Sequence, residues 1–306
     1  MTTLRVSNSE DRPGHTDAPR RVIPTTADRV VALYQRLERL ARMSQLEPGE
    51  ITNGVFAELV DVCTHAHGKD SEAVLADARI TSLTPRLRHL CAEGEYRLER
   101  FWARRVGAAA DSNNELAEFP YLNNYQALTT LEVHNVDALR PDVRPFPPSD
   151  GAWPKHVCVL GSGPLPMTAL LMSRAFDATV DAVDHDAEAT ALADAVLPRL
   201  SGGHLVRAVQ DDARHFAGVA EADVVVLAAL VGLHPAAKHA VITAVAHRMR
   251  PGTLLLVRSA HRLRTLLYPP LSADDLAVVS NGLLRPLAAI HPFSEVVNSI
   301  LVAVRC

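Results

Sequence analysis

Eight residues, His156-Val-Cys-Val-Leu-Gly-Ser-Gly163, constrain the fold more than any other stretch of the chain. Val157 to Leu160 is a short, apolar, largely β-branched run, the pattern of a strand buried on both faces of a parallel sheet. Gly161 and Gly163 end it, with Ser162 between them. Both glycines tolerate φ > 0 and let a ligand lie against the backbone. Met167 to Ala175 then reads as a helix, with Pro164 and Pro166 at its start, where a missing N–H costs little. Strand, glycine turn and helix in this order make a nucleotide-binding edge.

The ligand class can be narrowed. The dinucleotide fingerprint has a third glycine where this chain has Pro166, and it relies on backbone N–H donors around a pyrophosphate. Two prolines remove two of those donors. A nucleoside without phosphates, such as S-adenosylmethionine, needs no such cradle. The plainer alternative for Gly161-Ser-Gly163 is an ordinary tight turn.

At 306 residues and 48% apolar content the chain can bury a sizeable core, as one large domain or two smaller ones. Its 31 basic and 35 acidic residues leave a net charge of −4, which excludes the electrostatic footprint of a nucleic-acid or anionic-membrane binder. No apolar run approaches the ~18 residues needed to span a bilayer, and Met1 to Ser9 lacks a secretory core. Cys63, Cys91, Cys158 and Cys306 are scattered, so reduced thiols and a cytoplasmic location are expected. Of 14 histidines only His65 and His67 are close together, and no metal site is expected. The partners are then small-molecule substrates, with a homodimer left open.

Residues 1–24 are polar and proline-containing, a loose tail by composition. A helical part covers 25–139. Thr25 and Asp28 form a capping box ahead of Val30, Leu33, Leu37, Leu40 and Met43 at helical spacing. Ile51 to His65 is a second helix, and a third starts at Thr84-Pro85 and ends near Val106. Gly107 to Asn114 reads as a break, and a further helix follows through about Asn135. Residues 140–155, with Pro141, Pro145, Pro147, Pro148 and Pro154, read as a stiff linker. From 156 to 306 strands (156–160, 179–183, 204–209, 223–228 and 253–258) alternate with helices (167–175, 187–199, 236–248 and about 273–281). Leu287–His291 and Val296–Val304 then read as a closing antiparallel hairpin. The fold class is α/β: a methyltransferase-type Rossmann sheet with a final antiparallel hairpin, preceded by an all-helical N-terminal domain.

Strand ends supply the candidate ligand contacts. Asp184 lies 21 residues after Gly163, close to the ~20 at which an acid holds ribose hydroxyls in such folds. Its alternative is a helix cap, a role Asp186 fills better. Asp212, after the third strand, is placed to meet an adenine amino group, or is simply a solvated or capping acid. Ala228 to Gly232, with Leu230, is an apolar exit from the fourth strand where such sheets bind ligands. Arg258 can pair bidentately with a substrate carboxylate, or lie on the surface. In the third helix Glu95 and Glu99 stand four apart, with Glu95 bordering the apolar stripe. A carboxylate there can be raised in pKa and serve as a base. Both also fit a solvated face with Arg97 and Arg100. Tyr121 and Tyr125 flank Asn123-Asn124 and by pattern are packing residues.

Taken together these segments resemble the nicotianamine synthase family. The resemblance lies in Phe119-Pro-Tyr-Leu-Asn-Asn-Tyr125, Leu160-Gly-Ser-Gly-Pro-Leu-Pro166, Val226-Leu-Ala-Ala-Leu-Val-Gly232, Val257-Arg-Ser-Ala-His261 with Leu267-Tyr-Pro269, and His291-Pro with Val296-Val-Asn-Ser299. It runs from about residue 84 to 304. It implies transfer of the 3-amino-3-carboxypropyl group of S-adenosylmethionine to an amine, releasing 5′-methylthioadenosine and a metal chelator, with no metal needed by the enzyme. It also implies that Glu99 is the base, although the helical wheel favours Glu95. Tyr125 and Tyr121 would then orient the acceptor. Gly161, Ser162, Gly163, Pro164, Asp184, Asp212, Ala228 and Leu230 would hold the donor, and Glu95, Arg258 and His261 would contact the acceptor. Asp186, and Arg262 with Arg264 after the Arg-Ser-Ala-His motif, depart from the family pattern. A small-molecule methyltransferase, cyclisation of the donor to azetidine-2-carboxylate, and a silent S-adenosylmethionine sensor are the competing readings.

Overall fold

The fold is that of a computed structural model, which describes residues 24–43, 45–66, 68–143 and 153–306. The expected tail, through residue 23, and the middle of the expected linker lie outside the described residues. Six helices come first: α1 (Thr26–Arg42), α2 (Glu50–His65), α3 (Gly68–Ala76), α4 (Ala78–Ala108), α5 (Ser112–Ala117) and α6 (Leu122–Val143). Thr25 and Asp28 form the anticipated capping box on α1. Met43, expected in its apolar stripe, lies past the helix end and is exposed.

The third predicted helix needs correction. It starts at Ala78, capped by the Asp77 carboxylate accepting from Arg79 N at 2.8 Å, and carries Pro85 in its interior. Proline removes one intrahelical bond, but Ile80, Leu83, Leu87 and Leu90 are buried on either side of it and hold the helix to its neighbours. Packing outweighs the local signal here. Within the expected break, α5 is capped by Asp111. The last helix runs through Val143, beyond its expected end and into the proline-rich stretch.

The second part alternates as expected: β1 (His156–Leu160), α7 (Met167–Phe176), β2 (Thr179–Asp184), α8 (Ala187–Val196), β3 (Val206–Gln210), β4 (Val224–Leu227), α9 (Pro235–Arg248), β5 (Leu254–Ser259), α10 (Ala273–Val279), β6 (Leu284–Ile290) and β7 (Ser299–Arg305). They form one sheet in the order β3-β2-β1-β4-β5-β7-β6, with the first five strands parallel and β7 antiparallel to both of its neighbours. Strand order reverses between β1 and β4, so a crevice opens beyond their carboxyl ends.

Alternation along the strands sends side chains to two cores. Val157, Val159, Val226, Leu256 and Ile300 face α4, α6 and α7, together with Leu98, Trp102, Phe119 and Leu128. Cys158, Leu160, Val225, Leu227 and Val257 face α9 and α10. A third core binds α1–α4 to Leu263, Leu266, Leu267 and Val297 of the sheet half. The helical part is thus built into the sheet's packing on two fronts. Among the described residues no helix is long and apolar enough to cross a membrane.

Candidate active site

A cavity of about 640 Å³ lies between the carboxyl ends of the strands and the helices, lined by α2, α4, the start of α6, the β1 turn and the β2 and β4 exits. On the sheet side, Gly161 N and Ser162 N donate to Val183 O at 2.8 and 3.0 Å, locking the turn to the end of β2. Gly161 has φ 81° and Gly163 φ 69°, so both take the left-handed conformation that glycine permits. A Cβ on Gly161 would lie 2.2 Å from Val231 Cγ2, and one on Gly163 would lie 2.3 Å from Glu99 Oε2. The turn is therefore in close contact with the β4 exit on one side and with a buried carboxylate on the other.

Asp184 closes this wall. Its Oδ2 accepts from Gly163 N at 2.9 Å and its Oδ1 from Asp186 N at 3.0 Å. A carboxylate has about four lone-pair sites, so acceptor capacity remains for a diol. Asp186 caps α8 through Ala189 N at 2.8 Å. Ser162, Pro164, Ala228 and Leu230 also line the cavity. Asp212 lines it too, but its carboxylate is gripped bidentately by Arg214 at 2.6 to 3.1 Å. That bond holds its pKa down to about 2. The expected adenine contact would therefore have to share Asp212 with Arg214.

The helical wall carries two carboxylate–tyrosine pairs. Tyr125 Oη donates to Glu99 Oε1 at 2.5 Å, and Tyr268 Oη donates to Glu95 Oε2 at 2.7 Å. Both glutamates line the cavity, so neither sits on a solvated face. Arg97 and Arg100 turn outward to Glu47 instead. Burial pushes the Glu99 carboxyl well above the ordinary carboxylate value, the negative charges of Glu95 and Asp184 add to this, and the Tyr125 bond opposes it. Burial also raises Glu95, against the Tyr268 bond. Tyr125 and Tyr268 are raised well above the ordinary phenol value, chiefly by burial and then by the adjoining carboxylates. Tyr121 lines the cavity beside them and packs on Phe119.

Two expected acceptor contacts are placed differently. Arg258 reaches the cavity wall, but its guanidinium is fully engaged on one edge: Nε and Nη2 donate to Glu132 at 2.7 and 2.9 Å, and Nη2 also donates to Thr168 Oγ1 at 2.9 Å. An internal carboxylate from α6 takes the place a substrate carboxylate was expected to occupy. The sequence does not advertise it, because Glu132 lies 126 residues away. His261 is outside this cavity altogether. The chain leaves β5 at Ser259 and turns away, and the His261 ring stacks on His291 with centroids 4.3 Å apart.

Several lining residues have no place in the motif-based reading. Tyr268 lies within Leu267-Tyr-Pro269 and Asn298 within Val296-Val-Asn-Ser299, stretches that mark the resemblance without indicating what those side chains do. Lys238 is 1% exposed and donates to Ala229 O at 2.9 Å, steadying the β4 exit from behind. Burial lowers its pKa to about 8. Among the described residues no group of three or more His, Cys, Asp or Glu side chains is arranged to hold a metal ion.

Residues 22–306 match the family model described as nicotianamine synthase protein. Nicotianamine synthase 9 of Hordeum vulgare is 33% identical over 280 residues, covering 89% of this chain and 78% of its own. Nicotianamine synthase 2 of Arabidopsis thaliana is 30% identical over 279 residues, covering 90% and 82%. Among solved structures, MtNAS in complex with MTA and tNA superposes with a TM-score of 0.73 at 20% identity, over 91% of this chain and 97% of that one. A glutamate-to-glutamine mutant of MtNAS in complex with S-adenosylmethionine gives a TM-score of 0.71 at 21% identity, over 92% and 98%. These two structures establish the fold.

Proposed function

Because the chain belongs to the nicotianamine synthase family, we infer that it transfers the 3-amino-3-carboxypropyl group of S-adenosylmethionine to an α-amino group. The acceptor nitrogen attacks the γ-carbon, the C–S bond breaks with its electron pair passing to sulfur, and neutral 5′-methylthioadenosine leaves. The other product is a chelating amine, nicotianamine or an opine-type precursor. The observation that carries this reading is the contact between the Gly163 turn and Glu99 Oε2, which sets a buried base directly against the donor site.

The remaining roles follow from that contact. Gly161 to Pro164, Ala228 and Leu230 shape the donor wall, Asp184 takes the ribose hydroxyls, and the Asp212 corner meets the adenine. Glu99 accepts the proton that the acceptor ammonium must lose before attack. A free α-amino group titrates near ~8, so raising Glu99 above its ordinary 4.5 brings base and substrate closer and favours proton transfer. Tyr125 fixes the Glu99 rotamer, Tyr121 walls the acceptor, and the Glu95–Tyr268 pair offers a second carboxylate to a cationic substrate. Arg258 acts through Glu132, holding α6 and its Tyr125 against β5. The four cysteines carry no disulfide, which supports a reducing, cytoplasmic setting, and the product's chemistry supports a part in metal supply.

Mass spectrometry of the purified protein with S-adenosylmethionine, alone and with single amino acids, tests the proposal. 5′-Methylthioadenosine with nicotianamine and no added acceptor establishes iterative transfer. The same by-product appearing with one amino acid only establishes the opine type. S-adenosylhomocysteine, or cyclisation to azetidine-2-carboxylate, overturns the proposal.

A further inference from the structure

Asn298 is 8% exposed and lines the cavity, yet among the described residues its Nδ2 has no hydrogen-bond partner. A buried amide donor left unpaired is costly, and native proteins satisfy most such groups. On a residue that lines a ligand cavity, an arriving ligand can supply the missing partner.

Its position indicates which part of the ligand. Asn124 Nδ2 donates to Glu295 O at 3.4 Å, which ties the stretch before Asn298 to the first turn of α6, where Tyr125 stands and which Tyr121 immediately precedes. On the sheet side Ile300 pairs with Arg258. Asn298 lies one residue before β7 begins and lines the same cavity as Arg258. It therefore belongs to the acceptor half of the chamber.

The charges there leave a gap. Glu95, Glu99, Asp184, Asp186, Asp211 and Asp212 line the cavity. Its two arginines are committed, Arg214 to Asp212 and Arg258 to Glu132. An acceptor carboxylate would have to displace an internal carboxylate to take the Nε–Nη2 edge of either of them. A neutral amide donor requires no such exchange.

We propose that Asn298 Nδ2 holds the carboxylate of an α-amino acid acceptor while its α-nitrogen faces Glu99, which makes Asn298 a specificity-determining binding residue. This rests on the transferase reading above. Two variants test it: Asn298→Leu keeps the shape without the donor, and Asn298→Asp sets a negative charge against the carboxylate. The rate of 5′-methylthioadenosine release is followed against L-histidine or, where no added acceptor is needed, against S-adenosylmethionine itself. Calorimetry of 5′-methylthioadenosine binding reports the donor half separately.

In Asn298→Leu the acceptor KM should rise roughly tenfold or more, and further in Asn298→Asp. Affinity for 5′-methylthioadenosine should stay within about twofold, and the Asn298→Leu unfolding temperature should equal or exceed that of the parent, because an unpaired donor is gone. An unchanged acceptor KM overturns the proposal. So does a lowered unfolding temperature with donor and acceptor affinities falling together, because that is the signature of a structural residue. A parent protein that releases no 5′-methylthioadenosine under any condition refutes the transferase reading instead.

Discussion

Along the sheet side of the chamber, cavity-lining groups come from successive strand ends: the Gly161–Pro164 turn after β1, Asp184 at the end of β2, Asp212 after β3 and Ala228 to Gly232 after β4. Along the helical side they come from Glu95 and Glu99 on α4, Tyr125 on α6, Tyr268 after β5 and Asn298 before β7. The first wall is backbone and strand termini, placed by the rule that parallel sheets bind ligands at their carboxyl ends. The second consists of buried side chains whose partners are remote: Tyr268 is 173 residues from Glu95, and Tyr125 is 26 from Glu99. Substitutions on the two walls should therefore fail in different ways.

The largest effect is expected on the helical wall. Glu99→Gln should lower turnover by about 10²–10⁴-fold with 5′-methylthioadenosine binding retained. Glu95→Gln should act mainly on acceptor KM. Single-turnover kinetics with calorimetry separates the two, and the opposite ranking would reassign the base to Glu95.

Arg258→Met should leave Glu132, 0% exposed, as an uncompensated buried carboxylate. A loss of about 3–5 kcal/mol in denaturant unfolding is expected, with much of it recovered by adding Glu132→Leu. Little loss of stability with abolished acceptor binding would instead restore the substrate-carboxylate role first read from the sequence.

Gly163→Ala probes the seam between the walls. Its positive φ should cost about 1–3 kcal/mol, and the added Cβ should push Glu99 aside. Turnover should fall by more than the stability loss accounts for. Turnover like the parent's would separate the turn from the base.

The smallest effect concerns pH. Because Glu99 titrates above 4.5 in the fold, the folded protein binds more protons than the unfolded chain from that pH upward. Its contribution to stability is complete below 4.5 and is lost as pH climbs from there toward the raised value. Glutamine cannot ionise, so the unfolding temperature of Glu99→Gln should gain on the parent as pH rises above 4.5, while parent turnover rises over the same range as the base forms. A pH-independent difference in unfolding temperature would mean that Glu99 ionises in the fold without cost.

Legibility in the sequence follows the same division. The alternating strands and helices from 156 onward, the closing hairpin, the glycine turn and the position of Asp184 all obey short-range periodicities, and each strand start falls within three residues of its expected place. The start of α4 departs from its local pattern because Pro85 is a strong local signal that burial overrides. Glu99 follows from the family motif, against the helical wheel. The wheel scores one helix in isolation, whereas α4 packs against other helices and faces the cavity along the same length.

By itself the sequence determined a doubly wound sheet whose first strand ends in a glycine turn poor in backbone donors, because strand period, glycine freedom and proline's missing donor are properties of a few adjacent residues. Tertiary structure decided who pairs with whom: Glu132 rather than a substrate with Arg258, Tyr268 with Glu95, His261 with His291 outside the chamber, and, among the described residues, no partner for Asn298 Nδ2. Those outcomes depend on which charges and donors are buried together once distant segments pack. No local pattern carries that information.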